Sequence, residues 1–182
     1  RRIGVDVVLG TGGYVSVPAG VGGRLAGRPL VLLEPNARAG AANRSLSRWA
    51  RGAAIAYRTA EADFRCPVQS TGVPVGRAFF ELPPAGAEAG GLVRGGSQGA
   101  LKVNLALPAA FERLAGELPE LEIVHQVGGH LERTREEYAR RDLGAATVRL
   151  ESFIDDVASA MGAASVIVSR AGAVTLAEIC AA

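Results

Sequence analysis

Cysteine, lysine and aromatic side chains are all scarce in this 182-residue chain. Only Cys66 and Cys180 occur, far apart and outside any Cys-x-x-Cys spacing, so they read as free thiols in a reducing compartment rather than a disulfide framework. Lys102 is the only lysine, and a net charge of +2 is too small to point to nucleic acid. No run reaches the ~18 apolar residues that a membrane-spanning helix needs, so no span is expected. No signal peptide opens the sequence, since Arg1-Arg2-Ile3-Gly4 leads straight into an apolar run. At the other end Glu178-Ile179-Cys180-Ala181-Ala182 stops within an expected helix, and both ends read as cuts. No Asp-x-Asp pair stands at the end of a strand, and the adjacent Asp155 and Asp156 diverge, so neither a metal nor another cofactor is expected.

What remains is rich in small and apolar residues. Hydrophobic residues make up 48% and charged residues 21%, a balance that excludes disorder and supplies a sizeable core. The 24 glycines follow no fixed period, so they mark turns and close backbone packing rather than low complexity. Strand-like runs alternate with helix-like ones. Val5 to Leu9 is a continuous apolar run, as in a strand buried on both faces of a parallel sheet. Ser16 to Leu25 reads as helix, Pro29 to Leu33 as strand, Asn43 to Ala50 as helix, and Ala53 to Tyr57 and Val68 to Thr71 as short strands. Prolines at 74, 83 and 84 and the Ala/Gly tract from Ala85 to Gly91 then break regularity, as a linker would.

The alternation resumes at Leu92. Leu101 to Leu114 reads as a helix that Pro108 kinks or reopens, Glu122 to Val127 as a strand, Leu131 to Arg141 as a polar helix and Thr147 to Leu150 as a strand. Asp155 is the expected cap of a helix through Met161, Ser165 to Ser169 is a further strand, and a helix begins near Val174. Trp49 and Met161 read as packing residues. The pattern predicts an α/β chain with two doubly wound halves: residues 1–82, a linker at 83–91, and residues 92–182.

Three glycine-bearing turns follow apolar runs: Gly10-Thr11-Gly12-Gly13-Tyr14, Gly95-Gly96-Ser97-Gln98-Gly99 and Ser169-Arg170-Ala171-Gly172-Ala173. Such turns let backbone N–H groups approach a phosphate at the positive end of a helix dipole. Together they outline a cleft. The middle turn lacks the Gly-x-Gly-x-x-Gly spacing of a dinucleotide-binding oxidoreductase, which weakens that alternative.

Five stretches in order resemble the MurG family of UDP-N-acetylglucosamine transferases. They are Asp6 to Ser16, Glu34-Pro35-Asn36 with Gly40, Asn43 and Arg44, Gly95 to Ala100, Phe153 to Asp156, and Ser169 to Glu178. The resemblance implies a GT-B architecture, with parts of two Rossmann-like domains whose parallel sheets face a cleft. Residues 1–82 would be the later part of the acceptor-side domain and 92–182 the earlier part of the domain that binds the UDP-sugar. It implies an inverting transfer of N-acetylglucosamine from UDP-GlcNAc to the 4-hydroxyl of undecaprenyl-diphosphate-linked muramyl-pentapeptide in peptidoglycan synthesis. The enzyme would lie peripherally on the cytoplasmic face of the bacterial membrane. The family's opening loop with its histidine has no counterpart here, so the catalytic base is assigned to that missing loop and this piece alone is expected to be inactive. A nucleotide-sugar-binding module without catalysis is the alternative.

The resemblance also assigns residues. Asn36, Ser97, Gln98, Ile154, and the run Ala173, Val174, Thr175, Leu176, Ala177 and Glu178 correspond to UDP-GlcNAc-binding positions, Glu178 taking the ribose hydroxyls. Gly12, Gly13, Tyr14, Glu34 and Asn43 correspond to the acceptor side. Two departures stand out. Leu33-Glu34-Pro35-Asn36 replaces the usual His-Glu-Gln-Asn, and the family's diphosphate-binding arginine falls on Gly76, with Arg77 one place late. His125, inside an apolar strand, reads as structural, and His130 inherits no role.

Overall fold

A computed structural model describes residues 4–82, 90–96 and 98–182. Contacts divide the chain into two compact units, Arg1–Pro74 and Val75–Ala182, each built on its own four-stranded parallel sheet.

In the first unit β1 (Val8–Gly10), β2 (Leu30–Glu34), β3 (Gly52–Ile55) and β4 (Val68–Ser70) lie in sequential order. Helix α1 (Ser16–Leu25) links β1 to β2, and α2 (Ala41–Leu46) links β2 to β3. Alternation along β2 buries Leu30, Leu32 and Glu34. The two leucines join Leu46, Ala53 and Ile55 in the core, where each large aliphatic side chain contributes about 1.5–3 kcal/mol. The expected strand from Val5 shortens to three residues, and Val5, Val7 and Leu9 are exposed. Among the described residues β1 pairs with β2 alone. Helix α2 is also shorter and earlier than expected. Trp49 lies beyond it, half-exposed, with the Arg48 guanidinium 5.2 Å from its ring centroid.

The second unit orders its strands β7-β6-β5-β8, with β5 (Gly90–Arg94), β6 (Glu122–Gln126), β7 (Thr147–Glu151) and β8 (Val166–Ser169). Helix α3 (Leu101–Ala115) links β5 to β6, α4 (Leu131–Ala139) links β6 to β7, α5 (Val157–Gly162) links β7 to β8, and α6 (Ala173–Ala181) follows β8. The strand period of two separates the faces. Val93 and Ile123 pack with Phe111 of α3 and Tyr138 of α4, whereas Leu92, Val124 and Ile167 pack with Met161 of α5 and Ile179 of α6. The chain steps outward from β5 to β7, then returns to place β8 on the other side of β5. That reversal is the switch point outside which open α/β sheets bind ligands.

Three expectations change. The contact boundary falls at Pro74 rather than residue 82, because Val75, Phe79 and Leu82 pack into the second unit's core. Of the expected linker, residues 83–89 lie outside the described residues, while Gly90 and Gly91 already belong to β5. Asp156, not Asp155, caps α5: its Oδ1 accepts the Ser159 N–H at 3.0 Å and its Oδ2 the Ser159 hydroxyl at 2.7 Å. The Ser159 hydroxyl and backbone N–H hold the Asp156 carboxyl below its usual range. Helix α3 passes through Pro108 as one element.

Candidate nucleotide-binding site

At the carboxyl edge of the second sheet, pairing sets Glu151, Gln126, Arg94 and Ser169 side by side on four adjacent strands. Arg94 shares its sheet face with Leu92, the face that carries α5 and α6. The chain leaves β5 through the glycine turn. Gly96 and Gly99 have φ of +84° and +74°, a region that disfavours side chains. A Cβ on Gly99 would strike the Val127 carbonyl oxygen, and one on Gly128 would strike the Gln98 carbonyl, so the turn lies backbone to backbone against the end of β6. Ser97, the expected diphosphate contact, lies outside the described residues. Gln98 is exposed beside it.

A buried polar chain fixes the other side of that contact. Asn104 of α3 donates from Nδ2 to the Val127 carbonyl at 2.9 Å, which leaves its Oδ1 to accept from His125 Nε2 at 3.1 Å. His125 Nε2 therefore carries the proton, and Nδ1 accepts from the Tyr138 hydroxyl at 3.0 Å. Burial lowers the imidazole to about 4, so it is neutral at pH 7. His125 is structural, as its place in the strand predicts. His130 stands at the start of α4, its carbonyl accepting from the Thr134 hydroxyl.

Beyond β8, α6 begins at Gly172 with no side-chain cap. The first N–H groups of a helix have no intrahelical acceptor, which leaves those of Ala173, Val174 and Thr175 for another partner. Val174 and Leu176 are exposed. Glu178 lies on the next turn, its side chain 15% exposed, and its Oε2 accepts from Arg94 Nη1 at 2.6 Å. Its Oε1 has no partner among the described residues. A Cβ on Gly96 would stand 3.5 Å from Arg170 Nη2, so a second guanidinium borders the turn. Arg94 and Arg170 were given no role by sequence. The signal for Arg94 was a charge closing the otherwise apolar run Gly90 to Val93.

Ile154, half-buried after β7, packs on the same core as α6. Arg77 is not drawn to the turn: its Nε donates to Glu81 Oε1 at 2.6 Å along an exposed 3-10 turn. A surface depression of about 480 Å³ on the α4–β7 flank, lined by Arg135, Tyr138 and Arg149 among others, holds none of the expected site residues.

In the first unit Glu34 and Asn43 differ from expectation. Both are buried and serve the loops instead of lining a surface. Glu34 Oε1 accepts from the Asn36 backbone N–H at 3.1 Å and from Asn36 Nδ2 at 2.8 Å; Oε2 accepts from the Gly40 N–H at 3.1 Å and from Asn43 Nδ2 at 3.0 Å. Asn43 Nδ2 also donates to the Leu33 carbonyl at 3.0 Å. A carboxylate with four donors is fully used, so Glu34 fixes the post-β2 loop and presents the exposed Asn36. Asp63 pins the same loop, accepting from the Ala39 N–H at 2.9 Å and pairing with Arg38 at 3.0 Å on both oxygens. The Ala39 N–H foremost, with Arg38, holds its carboxyl below the usual range. Gly12, at φ +86°, crosses directly above Asn43, where a Cβ would stand 3.4 Å from Nδ2. Gly13 has φ +75°, and Tyr14 is 93% exposed at the tip of the loop. The Ser16 and Val17 N–H groups are taken by the Gly13 and Tyr14 carbonyls.

Two parallel sheets with glycine turns at the carboxyl ends of their strands define a Rossmann-like, GT-B type of chain, and comparison agrees. Residues 92–182 match the glycosyltransferase family 28 C-terminal domain and residues 1–55 its N-terminal domain; the chain belongs to glycosyltransferase family 28. Over its whole length it is 44% identical to the UDP-N-acetylglucosamine--N-acetylmuramyl-(pentapeptide) pyrophosphoryl-undecaprenol N-acetylglucosamine transferase of Syntrophotalea carbinolica, and 43% identical to that of Sorangium cellulosum. It covers 51% and 45% of those relatives, about half their length. The crystal structure of MurG from Acinetobacter baumannii superposes with a TM-score of 0.67 at 34% identity, over 97% of this chain and 50% of that one.

Proposed function

We propose that this chain supplies part of an inverting glycosyltransferase that moves N-acetylglucosamine from UDP-GlcNAc to the 4-hydroxyl of a lipid-linked N-acetylmuramyl-pentapeptide. The observation that carries this reading is the convergence at one switch point of an uncapped α6 N-terminus, the Gly95–Gly99 turn and the Glu178 carboxylate. Each suits one part of a nucleoside diphosphate. The free amides of Ala173 to Thr175 and the helix dipole suit the diphosphate, whose charge grows as the glycosidic bond breaks. Glu178 suits the ribose hydroxyls. The backbone beside Ile154 suits the base, and Ser97 and Gln98 suit the phosphate or sugar side.

The first unit takes the acceptor role in this reading. Asn36, oriented by Glu34, addresses the donor sugar, and the Gly12-Gly13-Tyr14 loop addresses the acceptor's diphosphate. The acceptor hydroxyl attacks the anomeric carbon from the face opposite UDP. Its proton goes to a base outside the residues assigned here, since His125 is buried, neutral and engaged at both nitrogens. A lipid-anchored acceptor places the working enzyme peripherally on the cytoplasmic face of the membrane. Among the described residues, no helix is long and apolar enough to cross it.

The test is transfer of labelled N-acetylglucosamine from UDP-GlcNAc to the lipid-linked acceptor by the full-length natural protein that carries this chain. Labelled lipid product is expected. UDP binding without any product would leave a nucleotide-sugar-binding module, and absence of both would refute the reading.

A further inference from the structure

Strand β5 runs Gly-Gly-Leu-Val before its last residue, and Leu92 and Val93 are each 1% exposed. Another apolar residue at position 94 would extend the α5–α6 core that Leu92, Val124 and Ile167 already form. Arginine stands there instead, its side chain 14% exposed. Fold stability gives it little reason to. A half-buried ion pair gains little over a packed apolar side chain. Among the described residues, Arg94 also keeps its Nε buried without a partner, and its register neighbour Gln126, 1% exposed, keeps Oε1 buried without one. Uncompensated buried polar groups of this kind concentrate where a site needs them.

We propose that Arg94 is a positioning residue that makes Glu178 selective for a vicinal diol. The inference rests on the nucleotide reading given above. A glutamate on a helix surface has three freely turning side-chain bonds. Here the guanidinium, carried by a central strand, pins Oε2 at 2.6 Å and so fixes the carboxylate plane. Among the described residues Oε1 has no partner, and Oε2 keeps a second acceptor direction, so one fixed carboxylate can receive two adjacent hydroxyl donors. Without Arg94 the same carboxylate would remain, but turning freely and able to meet one hydroxyl as well as two. The pair thus favours a ribonucleotide over its deoxy analogue.

The experiment titrates the full-length natural protein calorimetrically with UDP and with 2′-deoxy-UDP. Wild type is expected to prefer UDP by about tenfold or more, the worth of one hydrogen bond to a charged group. Glu178→Gln should lose that preference. Arg94→Met, which keeps length but not charge, should bring it to within about threefold, and the double variant should show no further loss. If Arg94→Met lacks a cooperative thermal transition, Arg94→Gln is read by the same ratio. Retention of the full preference without the guanidinium, while Glu178→Gln abolishes it, overturns the role of Arg94 and leaves the nucleotide reading standing. Equal weakening of both ligands means a structural residue only, and also overturns it. No UDP binding by wild type, or a preference indifferent to Glu178→Gln, overturns the nucleotide reading and this inference with it.

Discussion

Lowering the pH from 7 to 4 should loosen the second unit through His125. In the folded chain burial lowers this imidazole to about 4, while an exposed histidine in the unfolded chain titrates at about 6.5. The unfolded state therefore binds the proton first. The stability held by the neutral ring is complete above pH 6.5 and disappears as the pH falls through the folded value. Linkage over that interval gives a loss of about 2 kcal/mol at pH 5 and about 3 kcal/mol at pH 4. The structure supplies the reason. A proton added at Nδ1 meets the Tyr138 hydroxyl that now donates to it, and charge enters a site with no carboxylate among the ring's hydrogen-bond partners. Carboxylates elsewhere also titrate in this range, so the quantity to measure is a difference. Urea unfolding of wild type and His125→Gln is followed across the pH range, and the wild-type stability should fall more steeply by the amounts given. Parallel pH profiles, or a wild type that gains stability toward acid, would refute the neutral tautomer and the network built on it.

Three shorter tests follow from the same geometry. Gly99→Ala meets both a left-handed backbone and the Val127 carbonyl and should cost about 2–4 kcal/mol in urea unfolding; a change near zero would mean the turn does not lie against β6. Glu34→Ala strips the acceptor from the Asn36 and Gly40 N–H groups and from Asn36 Nδ2, and should cost about 2–5 kcal/mol; an unchanged midpoint would show that the loop is held otherwise. Cys66 is half-buried with its thiol pushed up by burial, whereas Cys180 is exposed, so iodoacetamide at pH 8 should modify Cys180 first, and equal rates would contradict the packing.

Much of this was legible in the sequence because parallel sheets write themselves as apolar runs ended by glycine. Helix α1 matches its expected bounds, and each expected strand of both sheets is present within a few residues. The boundary at Pro74 was hidden because Val75, Phe79 and Leu82 reveal their allegiance only through the core they enter. Site residues divide similarly. The glycines and the α6 start are local features, readable from spacing. Glu34 and Asn43 read as ligand-facing because their polarity is visible while their burial is not. The Arg94–Glu178 pair spans 84 positions and could not be read from local pattern.

The most direct trial of the central claim is a crystal structure of the full-length natural protein with UDP bound. The account predicts the diphosphate against the amides of Ala173 to Thr175, and both ribose hydroxyls within about 3.2 Å of the Glu178 carboxylate. Uridine found elsewhere, with Glu178 turned wholly to Arg94 and touching no ligand atom, would contradict it.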